Sequence, residues 1–171
     1  MVEAVKIVLL CVAGSVAYGV LHDQITARIC IEYFTVGHAR MWATDNPTMH
    51  GLIWGVIATW WVGAGLGLLV AVAARVGPGP RRDWRWVCRR LAWCLIATAV
   101  VAAVVGLQTA FTTYAPASRG SRLANLSTAT QHRFYICRSI HNASYAAGGL
   151  FGLLLAGRTL LSRYRVVPRE G

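Results

Sequence analysis

Four long apolar runs restrict this chain more than any other feature: about Val5–Leu21, Gly51–Ala74, Leu91–Phe111 and Asn142–Gly157. A helix needs about 20 mainly apolar residues to cross the hydrocarbon of a bilayer. The central portions of the runs hold no Asp, Glu, Lys or Arg, and the last run gains length from the polar turns before it. Backbone groups inside the bilayer find no water and must pair within their own segment, so each run is expected to be a helix. The expected fold is an all-α membrane protein: a single domain over 1–171 forming a four-transmembrane-helix bundle. Segments 22–50 and 112–141 would then be external and build a loop and short-strand cap. A chain that is 56% hydrophobic is too apolar for an ordinary soluble domain.

The formal net charge of +11 raises nucleic acid as a partner, but its placement argues against that. With the N-terminus inside, the cytoplasmic segments hold Lys6, then Arg75, Arg81, Arg82, Arg85, Arg89 and Arg90, then Arg158, Arg163, Arg165 and Arg169. The external segments hold Arg28, Arg40, Arg119, Arg122, Arg133 and Arg138, offset by Asp23, Glu32 and Asp45. Such an excess of basic residues is the positive-inside bias, which puts both termini in the cytoplasm. The basic groups hug the spans, where anionic headgroups lie, so the bilayer is the expected partner. Lys6 ahead of the first run also fits a cleavable signal peptide, but Glu3 and the length of the run favour a retained helix.

Small residues recur every fourth position: Cys11, Ser15 and Gly19; Gly51, Gly55, Thr59, Gly63, Gly67 and Ala71; Thr98, Ala102, Gly106 and Ala110; Ser144, Gly148, Gly152 and Ala156. This spacing lets helix backbones approach closely in lipid. The second row, drifting about 40° per step, is expected to serve two neighbours. Left exposed, such rows would drive homo-oligomerisation or docking of another membrane protein. Trp84, Trp86 and Trp93 are expected at one headgroup level and Trp42 and Trp54 at the other, with Trp60 and Trp61 as packing bulk against the glycines.

Between the first two spans, Ile25, Ala27, Ile29, Ile31 and Tyr33 alternate with polar or small residues. Period two with β-branched and aromatic enrichment predicts a short extended strand. Asn46 and Pro47 then read as the cap and first residue of the second long helix.

All five histidines fall in the expected external segments: His22, His38, His50, His132 and His141. Imidazoles beside carboxylates suit a divalent ion such as Zn, Mn or Fe. The candidate ligands are His22, Glu32 and His141, with Asp23, His38, His50 and His132 as secondary candidates. Asp23 would orient His22 from behind. No H-x-x-x-H or H-E-x-x-H spacing is present, so the signal is compositional, and interfacial or hydrogen-bonded histidines are the more ordinary account of it. A bis-histidine haem between His50 and His141 is geometrically conceivable, but neither residue is well inside a span. Cys30 and Cys137, one in each external segment, form the candidate disulfide in an oxidising compartment. The chain lacks the C-x-x-C of a disulfide oxidase, the elbow of a serine hydrolase, and the mid-membrane charge usual in ion-coupled transporters.

Tyr18-Gly19, His22-Asp23-Gln24-Ile25-Thr26, Glu32-Tyr33-Phe34-Thr35 and His141-Asn142-Ala143-Ser144-Tyr145 together resemble a group of small, uncharacterised bacterial multi-pass membrane proteins. The resemblance implies a bacterial membrane protein, expected in the inner membrane, and supplies no activity, cofactor or partner. Two functions follow from the residues. One is a structural or partner-binding module built on the external polar cap. The other is a metal-dependent membrane enzyme with a His/Glu site at the outer face.

Overall fold

A computed structural model describes residues 1–38, 43–114, 116–117 and 120–164. Arg40, Trp42, Arg119, Arg165 and Arg169 lie outside the described residues. Five helices follow in order: α1 (Val2–Ile29), α2 (Glu32–Thr35), α3 (Pro47–Arg75), α4 (Trp84–Ala110) and α5 (Thr128–Tyr164). The four long ones are each long and apolar enough to cross a membrane, as expected of a multi-pass membrane protein.

The helices start where side chains can satisfy their free N–H groups. The Asn46 side chain accepts from the backbone N–H groups of Thr48 and Met49 at 2.9 and 3.3 Å, with Pro47 as the first helical residue. Asp83 does the same for α4, accepting from the Trp86 N–H at 2.9 Å. The Ser127 hydroxyl accepts from the Thr130 N–H at 3.2 Å as α5 opens. Consequently α4 begins one to two turns before its apolar run, and α5 is a single helix of 37 residues. That length is roughly 55 Å at 1.5 Å per residue, well beyond the hydrocarbon thickness.

The expected strand does not form; no strand occurs among the described residues. Helix α1 continues to Ile29, and the short α2 opens two residues after Cys30. Gly19, Asp23, Thr26, Ala27 and Cys30 are all buried, and their spacing traces one face of a helix. Ile25, the first apolar residue of that alternation, is 64% exposed. In a membrane protein apolar residues also coat the outside, so alternation loses its inside–outside meaning.

The glycine row of α3 lies against α1. A Cβ added at Gly55 would sit 2.5 Å from the Val20 Cα, and one at Gly63 would sit 2.8 Å from the Cys11 carbonyl oxygen. At Gly19 the obstacle is the Gly55 carbonyl oxygen, and at Gly51 it is the Gln24 side-chain amide, with the backbone of Asp23 and Gln24 just behind. Rather than serving two neighbours, the α3 glycines Gly51, Gly55, Gly63 and Gly67 all meet α1. Helix α5 is mixed. A Cβ at Gly148 would meet nothing closer than 3.8 Å and one at Gly149 nothing within 4 Å, whereas one at Gly152 would sit 2.5 Å from the Leu66 side chain. Gly148 and Gly149 leave space open. Trp60 and Trp61 are exposed; they face outward and do not fill the glycine seam.

At the other end of the bundle, Arg163 organises the turn between α3 and α4. It is fully buried and donates to the carbonyl oxygens of Ala73, Val76, Gly77, Pro78 and Pro80. Those are carbonyls that the end of α3 and the turn leave without helical partners. Gly77 and Gly79 take positive φ (88° and 95°), a region that glycine enters without steric cost. Arg82 in turn donates to the side chain and carbonyl of Ser162.

Candidate functional site

Helices α1 and α5 each pack against both α3 and α4, and so face one another across the bundle axis. Where they meet, polar side chains replace apolar ones. The Tyr18 hydroxyl lies 2.8 Å from Ser144 Oγ and 3.4 Å from His22 Nδ1. His141 Nε2 lies 3.1 Å from Asp23 Oδ1. The His22 ring stands edge-on to His141 with centroids 4.6 Å apart. Ligand-capable atoms of His22, Asp23 and His141 all lie within 4.8 Å of one another, with Asp23 and His141 buried. Because α1 continues to Ile29, His22 and Asp23 sit about two turns inside a helix rather than at its end.

The protons of this cluster can be counted. His141 Nδ1 lies 2.8 Å from the Cys137 carbonyl oxygen, which only accepts, so Nδ1 carries the hydrogen. In a neutral ring, Nε2 then presents a lone pair to the Asp23 carboxylate, which also has only lone pairs to offer. A 3.1 Å contact between two acceptors needs a positive charge or a proton between them. A second proton on the imidazole, a proton on the carboxyl, or a cation bound to both atoms would supply it. On the other ring, His22 Nε2 is buried and has no hydrogen-bond partner. A small cavity of about 20 Å³ is bounded by His22, Asp23, His141, Tyr18, Ser144 and Tyr145. That is room for about one water or one ion. Tyr18, Thr59, Ser144 and Tyr145 also line a largely apolar cavity of about 90 Å³ deeper in the bundle, beside Gly148 and Gly149.

The segment after α1 closes the cluster from outside. Helix α2 stacks Tyr33 on the His141 ring (centroids 4.4 Å apart) and sets Phe34 edge-on to it at 5.9 Å. Phe134 supports Tyr33 from α5. Burial raises the ionisation of the Tyr33 hydroxyl above its ordinary range, so it stays a neutral cover. Cys30 and Cys137 lie in one buried cluster with Phe134, both as free thiols. Cys30 donates to Glu32 and Cys137 to the Thr26 carbonyl. Burial pushes the Cys30 thiol up to about 11, and the adjacent Glu32 carboxylate reinforces the shift.

Of the residues named from sequence, His22, Asp23 and His141 come together and Glu32 does not join them. Asp23 meets His141 rather than His22. His38 bonds the Tyr33 carbonyl through Nδ1 and lies against Trp54. His50 bonds the Thr44 carbonyl through Nε2. His132 bonds the Thr109 carbonyl and stacks on Tyr114. The Phe34 ring lies against both His50 and His141, at 6.1 and 5.9 Å between centroids. Arg28 donates to Gln24 and Thr48, tying the end of α1 to the start of α3. Tyr18 was not among the sequence candidates. The available signal was its position one turn before His22, which puts both on one helix face.

No known protein family, curated protein or solved structure matches the chain. What the site can do follows from its own geometry.

Proposed function

We propose that this chain is a membrane-embedded metal-binding protein holding one divalent transition ion between α1 and α5. His22 Nε2, an Asp23 carboxylate oxygen and His141 Nε2 are the ligands. The observation that carries this reading is the acceptor-to-acceptor contact of His141 Nε2 with Asp23 at 3.1 Å. Two ligand atoms about 2.1 Å from one ion and nearly at right angles to it stand about that far apart. His141 also donates its other ring nitrogen to a backbone carbonyl, the usual way in which a ligating histidine is oriented. Atoms shared by one ion must lie within about 4.2 Å of one another, so the 4.8 Å spread closes with side-chain rotation of less than an ångström. Two nitrogens and an oxygen suit Zn, Mn or Fe(II), and three protein ligands leave further positions open toward Tyr18 and Ser144.

The orientation that accompanies this reading has both termini in the cytoplasm of a bacterial inner membrane and the site nearer the outer face. The gathering of Arg81, Arg82, Arg85, Arg89 and Arg90 at the opposite end supports it. Surface labelling of an Arg81→Cys variant from outside the cell would reverse the orientation.

The test is metal stoichiometry. Full-length protein in detergent, stripped with a chelator, is titrated at neutral pH with Zn²⁺ and with Co²⁺, whose absorption reports its ligands. One equivalent per chain is expected, with affinity at least tenfold lower in His22→Gln and Asp23→Asn, since even residues behind a metal's ligands are worth 10- to 100-fold. No stoichiometric metal, or unchanged affinity in both variants, overturns the reading. A second reading then takes its place, favoured by the aromatic packing of Tyr33, Phe34 and Phe134 around His141. In it, Asp23 and His141 pin α1 to α5 beneath a structural or partner-docking cap.

A further inference from the structure

The opposite end of the bundle carries a second site. Between α4 and α5 lies a cavity of about 560 Å³ lined by Arg89, Arg90, Arg158, Trp93, Phe151 and Leu154, among others. None of its lining residues is acidic. Arg90 is committed on only part of its surface. It stacks on Trp86 at 3.5 Å and donates from one terminal nitrogen to the Trp86 carbonyl, while its buried Nε has no partner. Three arginines thus line one cavity with no carboxylate among its lining residues.

Depth along the helices defines the kind of ligand. Arg90 stands six residues into α4 and Arg158 six residues before the end of α5, or about 9 Å from each end. Trp93 and Leu154 lie three or four residues deeper, and Phe151 deeper still. One wall of the cavity is therefore cationic at headgroup level, and the remainder is apolar at acyl-chain level. A free anion would occupy only the first part. We propose that this cavity binds an anionic phospholipid, with its phosphate on Arg89, Arg90 and Arg158 and an acyl chain along Trp93, Phe151 and Leu154 between α4 and α5. Basic pockets between transmembrane helices hold anionic headgroups by such charge-assisted hydrogen bonds. The site is separate from the His22–Asp23–His141 cluster and independent of any metal there.

The test uses the full-length protein in phosphatidylcholine nanodiscs doped with brominated phosphatidylglycerol, read by quenching of tryptophan fluorescence. Saturable quenching at a few mole per cent is expected in the wild type and is expected to shrink in Trp93→Phe. The Arg90→Gln/Arg158→Gln double variant is expected to need at least tenfold more of the anionic lipid. Arg81→Gln/Arg85→Gln, which removes two arginines outside the cavity, is expected to match the wild type. Equal quenching by brominated phosphatidylcholine in the wild type would overturn the proposal without recourse to any variant. Displacement of the lipid by millimolar inorganic phosphate or glycerol phosphate would overturn it in favour of a free-anion site. So would a folded double variant, by circular dichroism, that binds as the wild type does.

Discussion

Replacing Arg163 with Met keeps the stem of the side chain and removes all of its donors. Five carbonyl oxygens then lose their partner, those of Ala73, Val76, Gly77, Pro78 and Pro80. Hydrogen bonds from a charged donor contribute about 1.5–3 kcal/mol each, and a buried acceptor left unsatisfied costs about 1–3 kcal/mol. Only the bond to Ala73 is wholly buried; water at the headgroup level can reach the others in part. The net loss is expected at about 3–5 kcal/mol, the range for removing one partner of a buried charged contact. For a chain of this size that is a fall in Tm of roughly 6–20 °C. Thermal unfolding in detergent, followed by tryptophan fluorescence, measures it. Released from Arg163, the turn is also expected to expose Arg81 to trypsin faster than in the wild type. Arg163→Lys is expected to fall between the two, since an ammonium brings three donors from a single point rather than a five-donor fork. A Met variant within about 1 kcal/mol of wild type would refute this account, because it would mean that the carbonyls are satisfied without the guanidinium.

Two further outcomes follow from the same geometry. Gly55→Ala places a Cβ 2.5 Å from the Val20 Cα and is expected to cost about 1–3 kcal/mol by forcing α1 and α3 apart. Gly149→Ala enters open space and is expected to be neutral or to stabilise α5 by up to about 1 kcal/mol; the two melting temperatures compare them, and equal costs would refute the distinction between the two positions. Cys30, with its thiol pushed from 9.0 to about 11, is expected to be alkylated roughly 100-fold more slowly at pH 8 than an ordinary thiol. Because the folded state holds that proton more tightly, its contribution to stability is complete below about pH 9 and is lost as pH rises through about 11. Mass-spectrometric alkylation rates against pH check the first point, and a rate equal to that of a free peptide thiol would contradict it.

Particular stretches show what could be read in advance. Hydropathy locates the four spans because an apolar run of that length has few other stable homes, and Asn46-Pro47 marks the start of α3 because capping is local. Hydropathy does not locate the ends of α1 and α5, since both continue past the apolar run into polar residues buried in the bundle. The Ile25–Tyr33 alternation misleads for the same reason: Asp23, Thr26 and Cys30 are buried and Ile25 is exposed, the reverse of a water-soluble pattern. Histidine and acid composition groups Glu32 with the histidines, and the structure does not. Cys30 instead donates to Glu32, while Asp23, one residue from His22, faces His141.

The sequence by itself thus determined the number of long apolar segments, the helical state of each and the placing of all five histidines outside their central portions. These depend on local backbone satisfaction and on summed hydropathy, which neighbouring helices do not alter. Only the tertiary structure decided which polar groups meet. His22 and His141 are 119 positions apart, and their contact depends on α1 and α5 facing each other across the axis with α3 and α4 between them. That arrangement is set by how closely α1 and α3 backbones approach at Gly19, Gly55 and Gly63, a quantity that no single segment contains.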